Sequence, residues 1–485
     1  MAYRHGVYVN EMESSQVAPA SATAGLQVVV GTAPVHLLEE PEAAVNTPLL
    51  VQSLTEAIQA VGYSADWDKY TICDAVNASF TMMGVGPLVL INVLDPKKHT
   101  TEMPETQVTV KDGQATVERE GLLLAGLTVK NGGTALTEGE DYLAGRDSDG
   151  NVVLTMIAGG QGESAEALTV SGKILDAGKV TAADIVGGLD MSTGRETGME
   201  VVRQVRPKLG MNPGLLIAPR WSMEPTVAAA MQAKTEYLNS VFRCQCIADL
   251  DDREGTGART YQEARVKKEA QGLSSSRCLV VWGFGKEGNC GSALAAARTV
   301  LTDNERGGIP YVSPSNKTAP ISGMCLSDGT EVLLDQDQAN TLNSWGIATW
   351  LNMDGWRLWG NRTAAYPGKT DTKDSFFPCR RYMDWRANSF ILTYFQKVDD
   401  PMNKRLIEAI VDSENVRGNG YVAIGAAAGD KIEYRAEENT EADLLNGKLT
   451  FHQYITPFPP AEVIEDNVEF DPTALAGALA CEKGD

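Results

Sequence analysis

Apolar residues along this chain follow two periods, and the change of period marks its parts. From Leu26 on, apolar runs of strand length alternate with stretches of helical spacing. "LQVVVGTAP" and "PLVLINVLDP" are continuous apolar runs, as expected of strands covered on both faces. "SLTEAIQAVG" lies between them and predicts a helix. Ser53 stands at its N-cap and Glu56 three residues later, a capping-box spacing. The alternation resumes after about residue 187. "PGLLIAP", "FRCQCIADL" and "SRCLVVWG" read as strands. "SMEPTVAAAMQAKTEYL", with Ser222 as a candidate cap, "RTYQEARVKKEAQG" and "GSALAAARTVLTDNERGG" read as helices. Strands alternating with helices predict a mostly parallel, covered sheet.

Between these stretches the period drops to two. "TQVTVKDGQATVERE", "GLTVKNGGTALTEGEDYLAGRDSDGNVVLTM" and "ALTVSGKI" alternate and are broken by D-G and N-G-G turns. They predict an all-β unit of hairpins inserted into the first core. The last third changes again. "DDPMNKRLIEAIVDSENVRGNG" predicts an amphipathic helix capped by Asp400, with Pro401 at its first position. Met402, Leu406, Ala409 and Ile410 share a face, and Gly418 stands past the end. "DKIEYRAEEN" and "GKLTFHQYITP" read as paired strands, and "TPFPPAE" as a stiff exit. "EVIEDNVEFDP" is strand-like, with Ile464, Val468 and Phe470 on one face and no local partner. At the other end Tyr3, His5, Val7 and Val9 share a face if extended, and the linker "SSQVAPASATAG" follows.

The predicted class is multidomain α/β: an α/β core with an inserted all-β domain, an α+β C-terminal assembly domain and extended N- and C-terminal arms. The boundaries are 1–24 for the N-terminal arm and linker, 25–97 plus 187–355 for the core, and 98–186 for the insertion. The assembly domain is 356–460 and the C-terminal arm 461–485.

Charge narrows the function. The 485 residues carry a net charge of −22, which argues against nonspecific nucleic-acid binding. The apolar runs fall short of the roughly 20 residues needed to span a bilayer, so no membrane is expected. "MAYRHGVYVNEMESS" has no apolar signal core, and a cytosolic protein is expected. The charge is uneven. Residues 356–405 hold ten Lys or Arg and five Asp or Glu, whereas 430–485 hold four and thirteen. A basic region meeting the acidic tail of the next copy would account for this.

Candidate chemistry is sparse. Gly283, Gly285 and Gly288 form G-x-G-x-x-G between a predicted strand and helix, the local context of a dinucleotide loop, with Asp303 at the spacing of a ribose ligand. The strand comes late in the α/β series, which weakens that reading. "CQC" at 244–246 would put two thiols on one side of a strand, and buried reduced thiols account for it better than a metal site does. "DLDDREGTGAR" clusters Asp249, Asp251, Asp252 and Glu254, expected to form an exposed acidic loop rather than a cation site. No catalytic, cofactor-binding or metal-ligating residue is assigned, and no cofactor is expected. "DGWRLWGNRT" places Trp356, Arg357, Trp359 and Arg362 within seven residues. The acidic chain and the interleaved Ile347, Leu351 and Leu358 favour a core or interface brace over base stacking.

"PYVSPSNK", "GWRLWGNRT", the series from "RRYMDWRANSFILTYFQKVDDPMNKRLIEAIV" through "PFPPAEVIEDNVEFD", and "HGVYVNEM" resemble the tail sheath proteins of contractile-tailed phages and phage-like bacteriocins. The resemblance is strongest over 305–473 and the first dozen residues. It implies a structural protein rather than an enzyme: a subunit that polymerises as stacked rings around a tail tube and contracts to drive the tube through a target envelope. Implied partners are other copies of the chain, a tail tube protein, and baseplate and tail terminator proteins. The implied setting is a virion tail or bacteriocin particle assembled in a bacterial cytoplasm. The resemblance also makes Val7 and Val9, and Ile464, Val468 and Phe470, strands donated to neighbouring subunits. A nucleotide-binding α/β enzyme and a non-contractile self-assembling shell protein stand as alternatives.

Overall fold

Six apolar runs lie parallel in one sheet. The structure, a computed structural model, describes residues 23–479, so Val7 and Val9 lie outside the described residues. Leu88–Asn92, Gln27–Gly31, Leu215–Ile217, Gln245–Asp249, Cys278–Val281 and Ile347–Asn352 are neighbours in that order, all parallel. Leu49–Val51 closes one side antiparallel, and Trp356–Trp359 followed by Lys317–Thr318 closes the other. Residues of the first four parallel strands named are buried throughout. Continuous apolar runs are what a sheet covered on both faces requires.

Helix Leu54–Val61 begins as its sequence predicts: Ser53 Oγ accepts from the Glu56 N–H, and Glu56 Oε2 accepts from the Gln52 N–H. Ser222 does not cap the helix that follows it. That helix is Pro225–Glu236, with Glu224 at the N-cap, and the Ser222 hydroxyl turns inward to Asp249. Proline at the first helical position sets the start there, because it needs no amide partner. Helix Gly291–Asn304 is Ala-rich and almost wholly buried against the sheet.

Among the described residues, strands between Thr100 and Leu175 pair only with one another, in an antiparallel four-stranded sheet and an antiparallel three-stranded one. Val129, Val152, Leu154, Leu168 and Val170 form a separate apolar core there. Thr100 pairs directly with Leu175. Entry and exit therefore lie side by side, and the unit sits in one loop of the large sheet without disturbing its register.

Beyond the sheet come helix Phe377–Tyr394, helix Lys404–Ala423, and the antiparallel strands Ala427–Tyr434 and Phe451–Pro457. Asp400 and Pro401 do not start the second helix. Asn403 caps it, its Oδ1 accepting from the Leu406 N–H at 3.0 Å, while Asp400 takes Lys397. Gly418 does not end it either. The helix runs to Ala423, and Gly418 faces strand Ala427–Tyr434 so closely that a Cβ would lie 2.0 Å from the Asp430 carbonyl oxygen. Glycine here serves close approach of helix and strand, not termination. Residues 461–470 form no strand in the single chain and are exposed throughout.

Candidate assembly site

The glycine loop does not offer a phosphate cradle. A dinucleotide would need the free N–H groups at the start of helix Gly291–Asn304. Asp74 Oδ2 already accepts from the Cys290 N–H at 2.9 Å. Asp249 Oδ1 accepts from the Ser292 N–H at 2.6 Å, and its Oδ2 from the Ser292 hydroxyl at 2.6 Å. Gly283 has φ +99°, and a Cβ there would meet the Met324 side chain at 2.1 Å. These glycines let the chain turn against Met324 and the helix. Asp303 is buried at the helix end, its carboxylate bidentate to Arg381, far from the role of a ribose ligand.

Asp249, Asp251 and Asp252 are buried, so the exposed acidic loop expected from "DLDD" is not what forms. Asp249 also accepts from the Ser222 hydroxyl and from the N–H of Arg220, a non-glycine residue at φ +63°. Asp251 pairs with Arg253 and Lys267. Burial raises the Asp74 and Asp252 carboxyls to about 6 and pushes Asp249 up as well. The serines and amides that hold these carboxylates in place come from distant loops, and local spacing gave no sign of them. Cys244 and Cys246 are buried free thiols, and Cys246 stands beside Cys278 on the next strand. Burial pushes the Cys244 thiol up to about 12.

"DGWRLWGNRT" is the antiparallel strand Trp356–Trp359 and the turn after it. Leu358 is buried, while both tryptophans are half-buried. Trp359 Nε1 donates to Asn340 Oδ1 at 3.0 Å. Arg357 donates to the carbonyls of Met353 and Asn316. Arg362 reaches furthest. Its guanidinium stands 3.8 Å from the Phe376 ring centroid and 4.4 Å from that of Tyr366. It donates to Ser375 Oγ at 3.1 Å and, through Nε and Nη2, to both oxygens of Glu462 at 3.0 and 2.5 Å.

Helix Phe377–Tyr394 joins the large sheet to the C-terminal strands, a role the sequence did not reveal. On one side Asp384 accepts from Arg277 and Gln245, Arg381 pairs with Asp303, and Asn388 bonds the Arg243 backbone in both directions. On the other, Arg386 lies fully buried. It bonds Asp430 bidentately at 2.5 and 3.0 Å and Glu414 at 3.0 Å. Burial opposes its charge, but these carboxylates outweigh that and hold the guanidinium protonated. Tyr382, Trp385 and Tyr421 stack beside it. The cluster "RRYMDWR" carried the signal, since charges on every face of an aromatic helix need partners all round.

Among the described residues, strands Ala427–Tyr434 and Phe451–Pro457 pair with each other. Helix Lys404–Ala423 covers the outer edge of the first, where Asn415 bonds both the N–H and the C=O of Ile432, so the unpaired edge is that of Phe451–Pro457. The chain leaves this sheet along 458–470. Ile464, Val468 and Phe470 are 88%, 86% and 78% exposed. An unpaired strand edge beside an extended, apolar-studded segment is a pattern suited to pairing with another chain.

No family model matches the chain. It is 29% identical over 480 residues to the tail sheath protein of Burkholderia phage BcepMu, covering 95% of both chains. It is 26% identical over 297 residues to the tail sheath protein of Escherichia phage P2, covering 58% of this chain and 69% of that one. Its fold matches the sheath complex of an extracellular contractile injection system, PVC, in the contracted state. The TM-score is 0.58 at 13% identity, over 98% of this chain and 99% of that one. The contracted helical sheath of the anti-feeding prophage gives 0.56 at 15% identity, over 97% and 100%. Over almost its whole length the chain is thus similar to contractile tail sheath proteins in sequence and in fold.

Proposed function

We propose that this chain polymerises as stacked rings around a tail tube and contracts to drive the tube through a target envelope. The observation that carries the reading is the two-stranded sheet with an unpaired edge at Phe451–Pro457, next to an extended arm whose apolar residues Ile464, Val468 and Phe470 stand exposed. Strand addition satisfies both at once. Main-chain hydrogen bonds hold the arm of one copy to the sheet of another, and alternate side chains fix the register. Ile464, Val468 and Phe470 are the donated positions in the C-terminal arm, and Val7 and Val9 those in the N-terminal one. Of the two strands of the acceptor sheet, Phe451–Pro457 offers the edge to be extended, since Asn415 already bonds Ile432 on the outer side of Ala427–Tyr434.

The division into a core of 25–97 and 187–355, an insertion at 98–186 and an assembly domain at 356–460 fits this reading. The assembly domain stays joined to its neighbours while the core slides and rotates on its linkers. Trp356, Arg357, Trp359 and Arg362 brace that junction. The tube is met by the C-terminal domain through the 401–416 region, and baseplate and terminator proteins close the ends of the polymer. The sheaths and baseplates of the matching injection systems support association with both other copies and a baseplate. Contraction draws on energy stored in the assembly, in keeping with a glycine loop whose helix N–H groups already serve Asp74 and Asp249.

Deleting residues 1–12 or 462–485 tests the reading. Each truncated chain is expected to stay soluble and form no tubes in negative stain, while the full chain forms a long narrow and a short wide tube. Tubes from either truncation would overturn the arm model, and a single tube diameter would mean a non-contractile shell.

A further inference from the structure

Among the described residues, one side-chain pair ties the C-terminal arm to its own subunit. Phe458 is bonded only through its carbonyl, which accepts from Cys379 Sγ at 3.7 Å. Among the described residues, the side-chain hydrogen bonds that reach residues 459–470 are those of Glu462. Packing does not hold this segment. It crosses a groove of about 840 Å³ lined by Tyr311, Asn316, Lys317, Asn340 and Trp359, and leaves the groove open. The other half of the tie is built with care. Arg362 is flanked by Tyr366 and Phe376 and bonded to Ser375; its side chain is only 17% exposed and that of Glu462 29%, although Glu462 as a whole residue lies at the surface. A guanidinium fixed in this way presents a fork that a carboxylate fits and an amide does not.

We propose that the Arg362–Glu462 pair is an anchor that sets where the donated C-terminal strand begins, and so how far it must search for its acceptor in the next copy. The inference rests on the arm-exchange reading above. With the pair closed, the donated positions start two residues beyond a fixed point. With it open, the free tether begins at the end of strand Phe451–Pro457 and gains residues 458–462, about 17 Å of contour. The effective concentration of a tethered strand falls with roughly the −3/2 power of tether length. The anchor leaves Ile464, Val468 and Phe470 exposed, so it positions the arm without masking it. Glu462 and Arg362 are thus positioning residues for assembly.

The test is the critical concentration for polymerisation of the full chain, followed by light scattering and sedimentation. Glu462→Gln is expected to raise it about five-fold or more at 0.1 M NaCl. The substitution lies on an exposed segment and is expected to leave the circular dichroism and Tm of the subunit unchanged. Salt supplies the second readout, since 1 M NaCl weakens a partly buried pair in part, though less than a fully exposed one. The wild-type value is expected to climb towards that of the variant, narrowing the gap between them. Equal critical concentrations at 0.1 M, or a gap that 1 M NaCl does not narrow, would overturn the anchor. A chain lacking 463–485 that still polymerises would instead overturn arm exchange itself. If that deletion blocks assembly while Glu462→Gln has no effect, the anchor fails and arm exchange stands.

Discussion

Asp249 and Ser292 are joined twice, one carboxylate oxygen accepting from the Ser292 backbone N–H at 2.6 Å and the other from its hydroxyl at 2.6 Å. The contact fastens the end of strand Gln245–Asp249 to the start of helix Gly291–Asn304, where a ligand phosphate would otherwise sit. Asp249→Ala strands the Ser292 and Arg220 amides and the Ser222 hydroxyl inside the core. At about 1–3 kcal/mol for each unsatisfied buried group, partly relieved by water, the loss is expected to be roughly 3 kcal/mol. Chemical denaturation of the subunit measures it. Calorimetric titration of the unaltered chain with NAD or ATP at millimolar concentration is expected to show no heat, and binding there would reopen the enzyme alternative.

Asp74 caps the same helix and has a carboxyl raised to about 6 by burial. Its unfolded value lies near 3.9. A carboxyl raised on folding contributes stability that is full below the unfolded value and is lost as pH rises through the folded one. Lowering the pH from 7 to 4 should therefore favour the native state at this group, by roughly 1–3 kcal/mol. Asp74→Asn cannot titrate. The difference in unfolding free energy between wild type and variant should thus change by that amount across this window, in favour of the wild type at pH 4. A constant difference would show that Asp74 is not perturbed.

Five of the six parallel strands could be read from the chain because each is an apolar run bounded by turn residues, whereas Ile347–Asn352 was not among them. "LQVVVGTAP" and "PLVLINVLDP" announce strands buried on both faces, and that is how they fold. The Ser53 cap was equally local. Gly418 was misread because a glycine that ends a helix and a glycine that lets a strand approach look alike in one dimension. "DLDD" was misread for a related reason: the Ser222, Ser292 and Lys267 groups that make its burial possible come from remote segments. Of the candidate brace, the sequence brought Trp356, Arg357, Trp359 and Arg362 together as a core or interface element. It could not name Glu462, 100 residues away, as the partner of Arg362.

Gly418→Ala makes the distinction testable. The added methyl would sit 2.0 Å from the Asp430 carbonyl oxygen, a backbone atom that cannot swing aside. Helix propensity alone would favour alanine by about 1 kcal/mol. The clash is expected to outweigh that gain, giving a net destabilisation of roughly 2 kcal/mol or more as helix and strand are forced apart. Near-ultraviolet circular dichroism reports the Tyr382, Trp385 and Tyr421 cluster and should lose amplitude, and amide exchange in 427–434 should quicken. A variant more stable than wild type would mean that Gly418 is merely a poor helix former.

Arg386 offers the sharpest separation of charge from packing. Its guanidinium is fully buried between Asp430 and Glu414, and Glu414 also takes Arg417. Removing the arginine alone leaves two carboxylates facing each other without their shared counter-ion. Breaking a buried ionic network in this way costs about 3–5 kcal/mol, against near neutrality when all partners become apolar together. Arg386→Met should therefore destabilise the C-terminal module strongly. Adding Glu414→Gln and Asp430→Asn should return a large part of the loss. The acid limb gives a second check. In the single variant the two carboxylates repel and take up protons more readily, so lowering the pH to about 5 should recover stability relative to wild type. Denaturation followed at Trp385 measures all three chains. If Arg386→Met is as stable as wild type at pH 7, the network is not what holds helix Phe377–Tyr394 against strand Ala427–Tyr434, and the aromatic cluster beside it must carry that junction alone.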